Sequence, residues 1–312
     1  MNHVAIRDIA VAVPTTRRDQ SAWGDGVAAK LVAATGVSER RVIDKETMTD
    51  LFEAAARQAL GHRRAIGGIV VVTQTPDTRI PPTANILHGR LGLPSSCLAF
   101  DVNQGCSGYA YGLEVAGRMV SSGLQSVLML AGDCLSSVVS PTDRATEPIF
   151  GDAASATFLE RDEDAPSLLV TCGSDGKGAK HLLLDHGDTE CLYMNGAAVF
   201  EFAAAAVPAA VAAMLDATGL THDDLDAVVP HQPNATMLEH LRLKCGVAEE
   251  KWITGVVQEF GNVSSASIPL AIVLNETRGR LLLVGFGGGW SWGTAVVDTS
   301  ETRIHPLVEV GR

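Results

Sequence analysis

The sequence predicts an α/β fold built from two duplicated halves. Three observations carry that prediction. Apolar runs of strand length alternate with helical stretches along the chain. The runs recur in matched order and at matched spacing. Glycine and alanine are abundant and aromatics make up 5% of residues, which suits layers that approach closely. A chain of 312 residues is also long enough to bury a large core.

The elements match in order. Residues 69–73 read Ile-Val-Val-Val-Thr, a continuous apolar run expected of a strand covered on both faces. Residues 226–231 (Asp-Ala-Val-Val-Pro-His) resemble them, and a Pro-containing turn and a helical stretch follow each. Next come residues 98–105, leading into Cys106, and residues 252–261, leading into Asn262. Residues 127–132 and 281–285 read as two further buried strands. Thr73 and Cys106 are 33 positions apart; His231 and Asn262 are 31 apart. Strand–helix repetition is common to α/β proteins, so the case for duplication rests on the agreement of three successive elements. The stretch Arg-Asp-Glu-Asp-Ala-Pro (161–166) interrupts the apolar pattern and places the boundary there, giving halves 1–162 and 163–312.

Duplication implies a pseudo-twofold axis. Cys106 and Asn262, at matching positions, are expected to face each other across it, with His231 beside them. A thiol, an imidazole and an amide are the parts needed to form and use an enzyme-bound thioester. The helical spacing of Tyr109, Leu113, Ala116 and Val120 puts Cys106 at a helix N-terminus, where the dipole favours the thiolate. Gly105 and Gly108 allow a tight strand-to-helix turn. The other cysteines (Cys97, Cys134, Cys172, Cys191 and Cys245) read as small core hydrophobes. His231 ends a strand on the side where open α/β sheets bind ligands. Asn262 alone reads as a turn, but the small residues around it suit a helix start close to a substrate.

Residues 284–290 (Val-Gly-Phe-Gly-Gly-Gly-Trp) fail the spacing of a dinucleotide loop and lack the lysine of a phosphate loop. A turn offering a backbone N–H to an oxyanion, before a last strand at 293–298, fits better. Trp290, Trp292, Met194 and the 77–88 segment are positions that shape a pocket or pack in the core.

The net charge of −12 argues against nucleic acid and against an anionic membrane as partners. No run approaches 18 apolar residues, and no signal-like N-terminus is present, so a cytoplasmic location is expected. The six cysteines form no CxxC pair, so neither a disulfide framework nor a metal site is expected.

These residues sit in a set of motifs that resembles β-ketoacyl-acyl-carrier-protein synthase III and its relatives in the thiolase superfamily, nearly end to end. The motifs are Thr-Gly-Val-Ser-Glu-Arg-Arg (35–41), Phe-Asp-Val-Asn-Gln-Gly-Cys-Ser-Gly (100–108), Pro-Thr-Asp-Arg (141–144) and Phe-Gly-Asp-Ala-Ala-Ser-Ala (150–156). Val-Pro-His-Gln-Pro-Asn (229–234), Gly-Asn-Val-Ser-Ser-Ala-Ser (261–267) and Gly-Phe-Gly-Gly-Gly-Trp-Ser-Trp-Gly (285–293) complete the set. The resemblance implies a thiolase fold of five layers, αβαβα, in a homodimer. It makes Cys106 the acylated nucleophile and His231 and Asn262 the pair that holds a malonyl thioester while carbon dioxide leaves. It assigns the oxyanion hole to the N–H groups of Cys106 and Gly288, and substrate contacts to Arg144, Phe286 and Asn234. Coenzyme A or acyl-carrier thioesters are then substrates, and no resident cofactor is implied.

The departures concern what delivers the substrates. A Trp that stacks on the coenzyme A adenine in acyl-CoA-primed members matches Lys30 here, and a nearby Arg matches Ala34; Arg144 is retained. Basic residues that dock the acidic carrier protein match Glu201, Thr236 and Leu243, while Lys244 is kept. The leading expectation is a decarboxylating Claisen condensation through acyl-Cys106, in a specialised biosynthetic pathway. The alternatives are acyl transfer from Cys106 to an alcohol or amine without decarboxylation, and a non-catalytic partner subunit of a synthase.

Overall fold

Residues 3–63, 66–184 and 191–311 are described by the structure, a computed structural model. The first half opens with β1 (Val4–Pro14), followed by a small antiparallel ribbon of β2 (Arg17–Asp19) and β3 (Glu39–Arg41) that brackets α1 (Asp25–Thr35). Then come α2 (Met48–Leu60), β4 (Gly68–Val72), α3 (Thr83–Leu91), β5 (Leu98–Val102), α4 (Gly108–Ser121), β6 (Ser126–Cys134) and β7 (Asp152–Arg161). The all-apolar β4 and the fully buried β6 pair in parallel, as strands covered on both faces do. A Thr47/Asp50 capping box starts α2. That helix then buries Leu51, Phe52, Ala55 and Ala59 against the outer face of the sheet.

The second half runs through β8 (Leu169–Ser174), a ribbon of β9 (Leu182–Leu184) and β10 (Leu192–Met194), α5 (Gly196–Thr218), β11 (Ala227–Pro230), α6 (Ala235–Cys245), the one-turn α7 (Val257–Phe260), α8 (Ser267–Asn275), β12 (Arg280–Gly287) and β13 (Ser291–Asp298). Its sheet order, β11-β12-β13-β8, repeats the order β4-β6-β7-β1 of the first half. Pair by pair, the directions repeat as well: parallel, antiparallel, antiparallel. The duplication is therefore a property of the fold. α4 and α8 lie between the two sheets and touch both. α2 and α3 cover one outer face and α5 and α6 the other, which makes five layers, αβαβα.

Three expectations change. The strand expected at 252–261 is reduced to a single bridge between Val228 and Trp252. Gly255, at φ +109°, turns the chain there, and α7 follows. The end of the second half also crosses over: β14 (Arg303–Ile304) and β15 (Val308–Val310) pair in parallel with β1, so a boundary at 162/163 leaves two strands of the first sheet on the far side. Finally, α5 has 23 residues and is long and apolar enough to cross a membrane, which the sequence reading did not anticipate. Glu201 and Asp216 interrupt it, and Ala203, Val207, Val211 and Met214 pack into the second core.

Candidate active site

The chain leaves β5 at Val102 and enters α4 at its N-cap, Ser107, so Cys106 sits at the mouth of that helix. The turn is crowded. A Cβ on Gly105 would lie 2.2 Å from Gln74 Oε1, and one on Gly108 would lie 2.7 Å from Val72 Cγ1. The backbone of Gly287 passes over Cys106: a Cβ there would lie 2.6 Å from the Cys106 Cβ and 3.3 Å from its Sγ. Cys106 is buried, and that burial pushes its thiol up to about 12; the Ser264 hydroxyl pulls the other way, and the charge of Asp133 adds to the rise. Burial thus opposes ionisation of the thiol, the reverse of the influence expected from the helix end.

His231 follows β11, and its N–H donates to the Val284 carbonyl at 2.7 Å, which anchors it to β12. Its Nδ1 lies 2.8 Å from Ser267 Oγ. The Gln232 N–H donates to that same oxygen at 3.3 Å, and a Ser267 hydroxyl that donates to Nδ1 keeps the imidazole proton on Nε2. Burial pulls His231 down to about 3, opposed by a backbone contact with Ser264, so the ring is neutral at physiological pH. Phe286 closes against it edge-on, with centroids 5.2 Å apart.

Asn262 is tied to a neighbouring loop. Its N–H donates to the Ile149 carbonyl at 2.8 Å, and its carbonyl accepts from Gly151 at 3.1 Å. Gly261, at φ +68°, permits this approach, since a Cβ would lie 2.4 Å from the Ile149 oxygen. The Asn262 Oδ1 accepts from the Ser264 N–H at 2.9 Å, which turns Nδ2 outward as a donor.

Ser264 joins the set. It has φ +52°, uncommon for a residue with a side chain, and is buried. Its N–H holds Asn262, its backbone meets His231, and its hydroxyl meets Cys106. The three residues expected to converge do so around it. One more serine in a run of small residues gave no sequence signal of this role; the signal is the backbone angle.

Comparison with known proteins identifies the family. The model for 3-oxoacyl-(acyl-carrier-protein) synthase III matches residues 100–176, and the model for its C-terminal part matches residues 215–299. β-Ketoacyl-(acyl-carrier-protein) synthase III of Listeria innocua is 36% identical over 276 residues, 84% of this chain and 87% of the relative. The chain belongs to the synthase III family. The enzyme of the same description from Acholeplasma laidlawii is 33% identical over 279 residues, 86% of this chain and 88% of the relative. Among solved structures, a 3-oxoacyl-(acyl-carrier-protein) synthase from Burkholderia xenovorans superposes with a TM-score of 0.94 at 34% identity, covering 99% of this chain and 97% of that one. A priming β-ketosynthase of a polyketide biosynthetic pathway gives 0.87 at 29% identity, covering 95% and 97%.

The remaining positions of this synthase III chain fall as follows. Gly288 follows Gly287 in the chain, and a Cβ on it would meet the Leu182 Cδ2 at 3.4 Å. Arg144 is exposed and sits over the ring of Trp23 at 5.8 Å, and Trp23 in turn donates to Glu147. Trp23 was missed because it precedes α1 instead of lying within it. Asn234 caps α6, its Oδ1 accepting from Met237 at 2.8 Å. Trp290 is clamped between His181 and Phe202, at 5.3 and 5.6 Å, and steadies the glycine turn. Of the five cysteines expected in the core, Cys97 and Cys134 are buried, Cys191 and Cys245 are half-buried, and Cys172 is exposed on β8. Glu201 is exposed on α5 and Leu243 on α6, while the Thr236 hydroxyl donates to the Ala34 carbonyl and ties α6 to α1.

Proposed function

We propose that this protein catalyses decarboxylating Claisen condensation through an acyl-Cys106 intermediate, in the cytoplasm and as a homodimer. The observation that carries the reading is the meeting of Cys106, His231 and Asn262 around Ser264. In the first half-reaction the thiol attacks an acyl thioester, and the N–H groups of Cys106 and Gly288 hold the developing oxyanion. In the second, a malonyl-type thioester presents its carbonyl to His231 Nε2–H and Asn262 Nδ2, two neutral donors. Enolate charge gathers on that oxygen as carbon dioxide leaves, and the enolate carbon attacks the acyl-Cys.

The depressed His231 pKa separates this from acyl transfer to an alcohol or amine. A ring held at about 3 is a poor general base but a good donor. A non-catalytic subunit would have no need of all three side chains. Arg144 beside Trp23 supports a coenzyme A donor, and the exposed Glu201 and Leu243 weigh against strong docking of an acidic carrier. That balance supports a priming role in a specialised pathway. The homodimer reading rests on β5, whose outer edge is unpaired among the described residues and which exposes Leu98 and Phe100.

The test is exposure of purified protein to a panel of acyl thioesters, read by intact mass, with carbon dioxide release from malonyl thioesters measured in parallel. Wild type is expected to gain one acyl group and Cys106→Ala none. Failure of wild type to acylate with any donor overturns the reading; acylation without carbon dioxide release favours a non-carbon acceptor.

A further inference from the structure

A serine at the mouth of α4 is diverted from its usual task. Ser107 is the N-cap of that helix, where a serine hydroxyl commonly accepts from the first turn, yet its side chain makes no such bond. It is buried and meets Ser291, the first residue of β13, with the two hydroxyl oxygens 2.7 Å apart. Two further bonds extend the contact. Gln104 Nε2 donates to Ser107 Oγ at 2.9 Å, and Ser291 Oγ donates to the Gly288 carbonyl at 2.8 Å. A carbonyl only accepts, so the Ser291 proton is committed to Gly288. The Ser107 proton then fills the bond between the two serines. The chain therefore runs one way, from Gln104 through Ser107 and Ser291 to Gly288.

We propose that Ser107 and Ser291 are positioning residues for the oxyanion hole, fixing its two donors relative to each other. The inference rests on the acyl-Cys106 reading, in which the N–H groups of Cys106 and Gly288 share the developing charge. Ser107 adjoins Cys106 in the first half of the chain, and Ser291 holds Gly288 in the second. The serine pair thus bridges the seam between the two donors. In this role neither hydroxyl touches substrate.

Three observations favour it. The seam is a meeting of bare backbone: a Cβ on Gly285 would lie 2.9 Å from the Ser107 Cα, and one on Gly287 2.6 Å from the Cys106 Cβ. Close packing limits approach, whereas a hydrogen bond also fixes direction. The turn over residues 288–290 is strained as well. Gly289 has φ +67° and Trp290 φ +46°, the latter uncommon for a residue with a side chain. Such a turn keeps its shape only where its surroundings hold it. Ser291 pairs with Gly287 at its base and closes it with the bond to Gly288. Finally, bonds aligned in one direction reinforce one another, so the loss of either serine weakens the whole path.

The experiment is single-turnover acylation at varied donor concentration, read by intact mass. It compares wild type, Ser107→Ala, Ser291→Ala, the double variant, and the isosteric pair Ser291→Thr and Ser291→Val. Infrared difference spectra of the isotope-labelled acyl carbonyl are recorded on the acylated proteins. Each alanine variant should acylate at least about tenfold more slowly at saturating donor, with the half-saturating concentration changed less than about twofold. The double variant should be within about twofold of the slower single, because one break already interrupts the path. Ser291→Thr keeps the hydroxyl and should acylate at least about fivefold faster than Ser291→Val. In the alanine and valine variants the acyl carbonyl stretch should move to higher frequency, the signature of weaker hydrogen bonds to its oxygen. Losses that multiply in the double variant, equal rates for threonine and valine, or an unchanged carbonyl frequency overturn the proposal. So does a loss confined to the half-saturating concentration. Ser107→Ala takes no cap bond from α4, so it decides the matter if changes at Ser291 disturb folding. A wild type that never acylates defeats the acyl-Cys106 reading itself, a result distinct from an active wild type with unaffected variants.

Discussion

A Cβ placed on Gly287 would lie 2.6 Å from the Cys106 Cβ, so the second half of the chain touches the nucleophile of the first through bare backbone. Both partners belong to buried main chain, and neither can swing aside. Gly287→Ala should therefore push Cys106 out of line. The expected cost is about 1–3 kcal/mol of stability from overpacking and a loss of acylation of at least about a hundredfold from misplacement. Urea denaturation with single-turnover acylation checks both, and an alanine variant that acylates normally would show that the contact is slack.

Arg40 bonds at a distance from the chemistry but in line with it. Its Nη2 donates to Glu147 at 2.6 Å and its Nη1 to the Phe150 carbonyl at 3.1 Å, and residues 149–151 in turn hold Asn262 on both sides. Arg18, half-exposed and 3.9 Å from Glu147, is a weak substitute. Arg40→Ala should cost about 3 kcal/mol or more by stranding a buried carboxylate. It should also impair condensation more than acylation, because Asn262 serves the second step. Separate assays of the two half-reactions check the split.

The two buried titrating groups pull stability in opposite directions with pH. His231 has a folded pKa of about 3, below its unfolded 6.5, so its contribution is present above pH 6.5 and lost as pH falls toward 3. Asp133 has a folded pKa of about 6, above its unfolded 3.8, so its contribution is present below 3.8 and lost as pH rises through 6. In His231→Gln the acid-side decline should flatten, by up to about 1.4 kcal/mol per pH unit. Asp133→Asn should be at least as stable as wild type at alkaline pH. Chemical denaturation at stepped pH measures each, and identical curves for variant and wild type would contradict the assignments.

The open edge at β5 predicts an assembly. Phe100→Asp places a charge on the exposed face of that strand and should convert a dimer to a monomer in sedimentation velocity, with secondary structure unchanged. A wild-type monomer would contradict the homodimer reading directly.

Much of this architecture was legible in the sequence because its signals are local. The apolar runs at β4, β6, β11 and β12, and the helical spacing of Tyr109, Leu113, Ala116 and Val120, report burial residue by residue. Cys106, His231 and Asn262 stand out by chemical type and position. What escaped was set by geometry. Ser264 takes its place through an unusual φ, and the burial of Asp133 is set by strands far apart in sequence. The thiol's high pKa comes from the enclosure made by Gly287 and its neighbours, which no property of Cys106 itself announces. The missing strand at Trp252 turned on Gly255, whose positive φ is not written in the hydrophobic pattern.

The pairing of β14 and β15 with β1 has a consequence for the chain during its synthesis. Residues 303–310 are made some 290 positions after β1, yet they seal its edge. The first half can collapse early, but its sheet keeps an unsatisfied edge until residues 303–310 have been made. Contacts of such long sequence separation form slowly, and an exposed edge is a template for wrong partners. A nascent chain stalled before residue 303 should therefore be an aggregation-prone species, and a client for chaperones, even though its nucleophile, imidazole and amide have all been made.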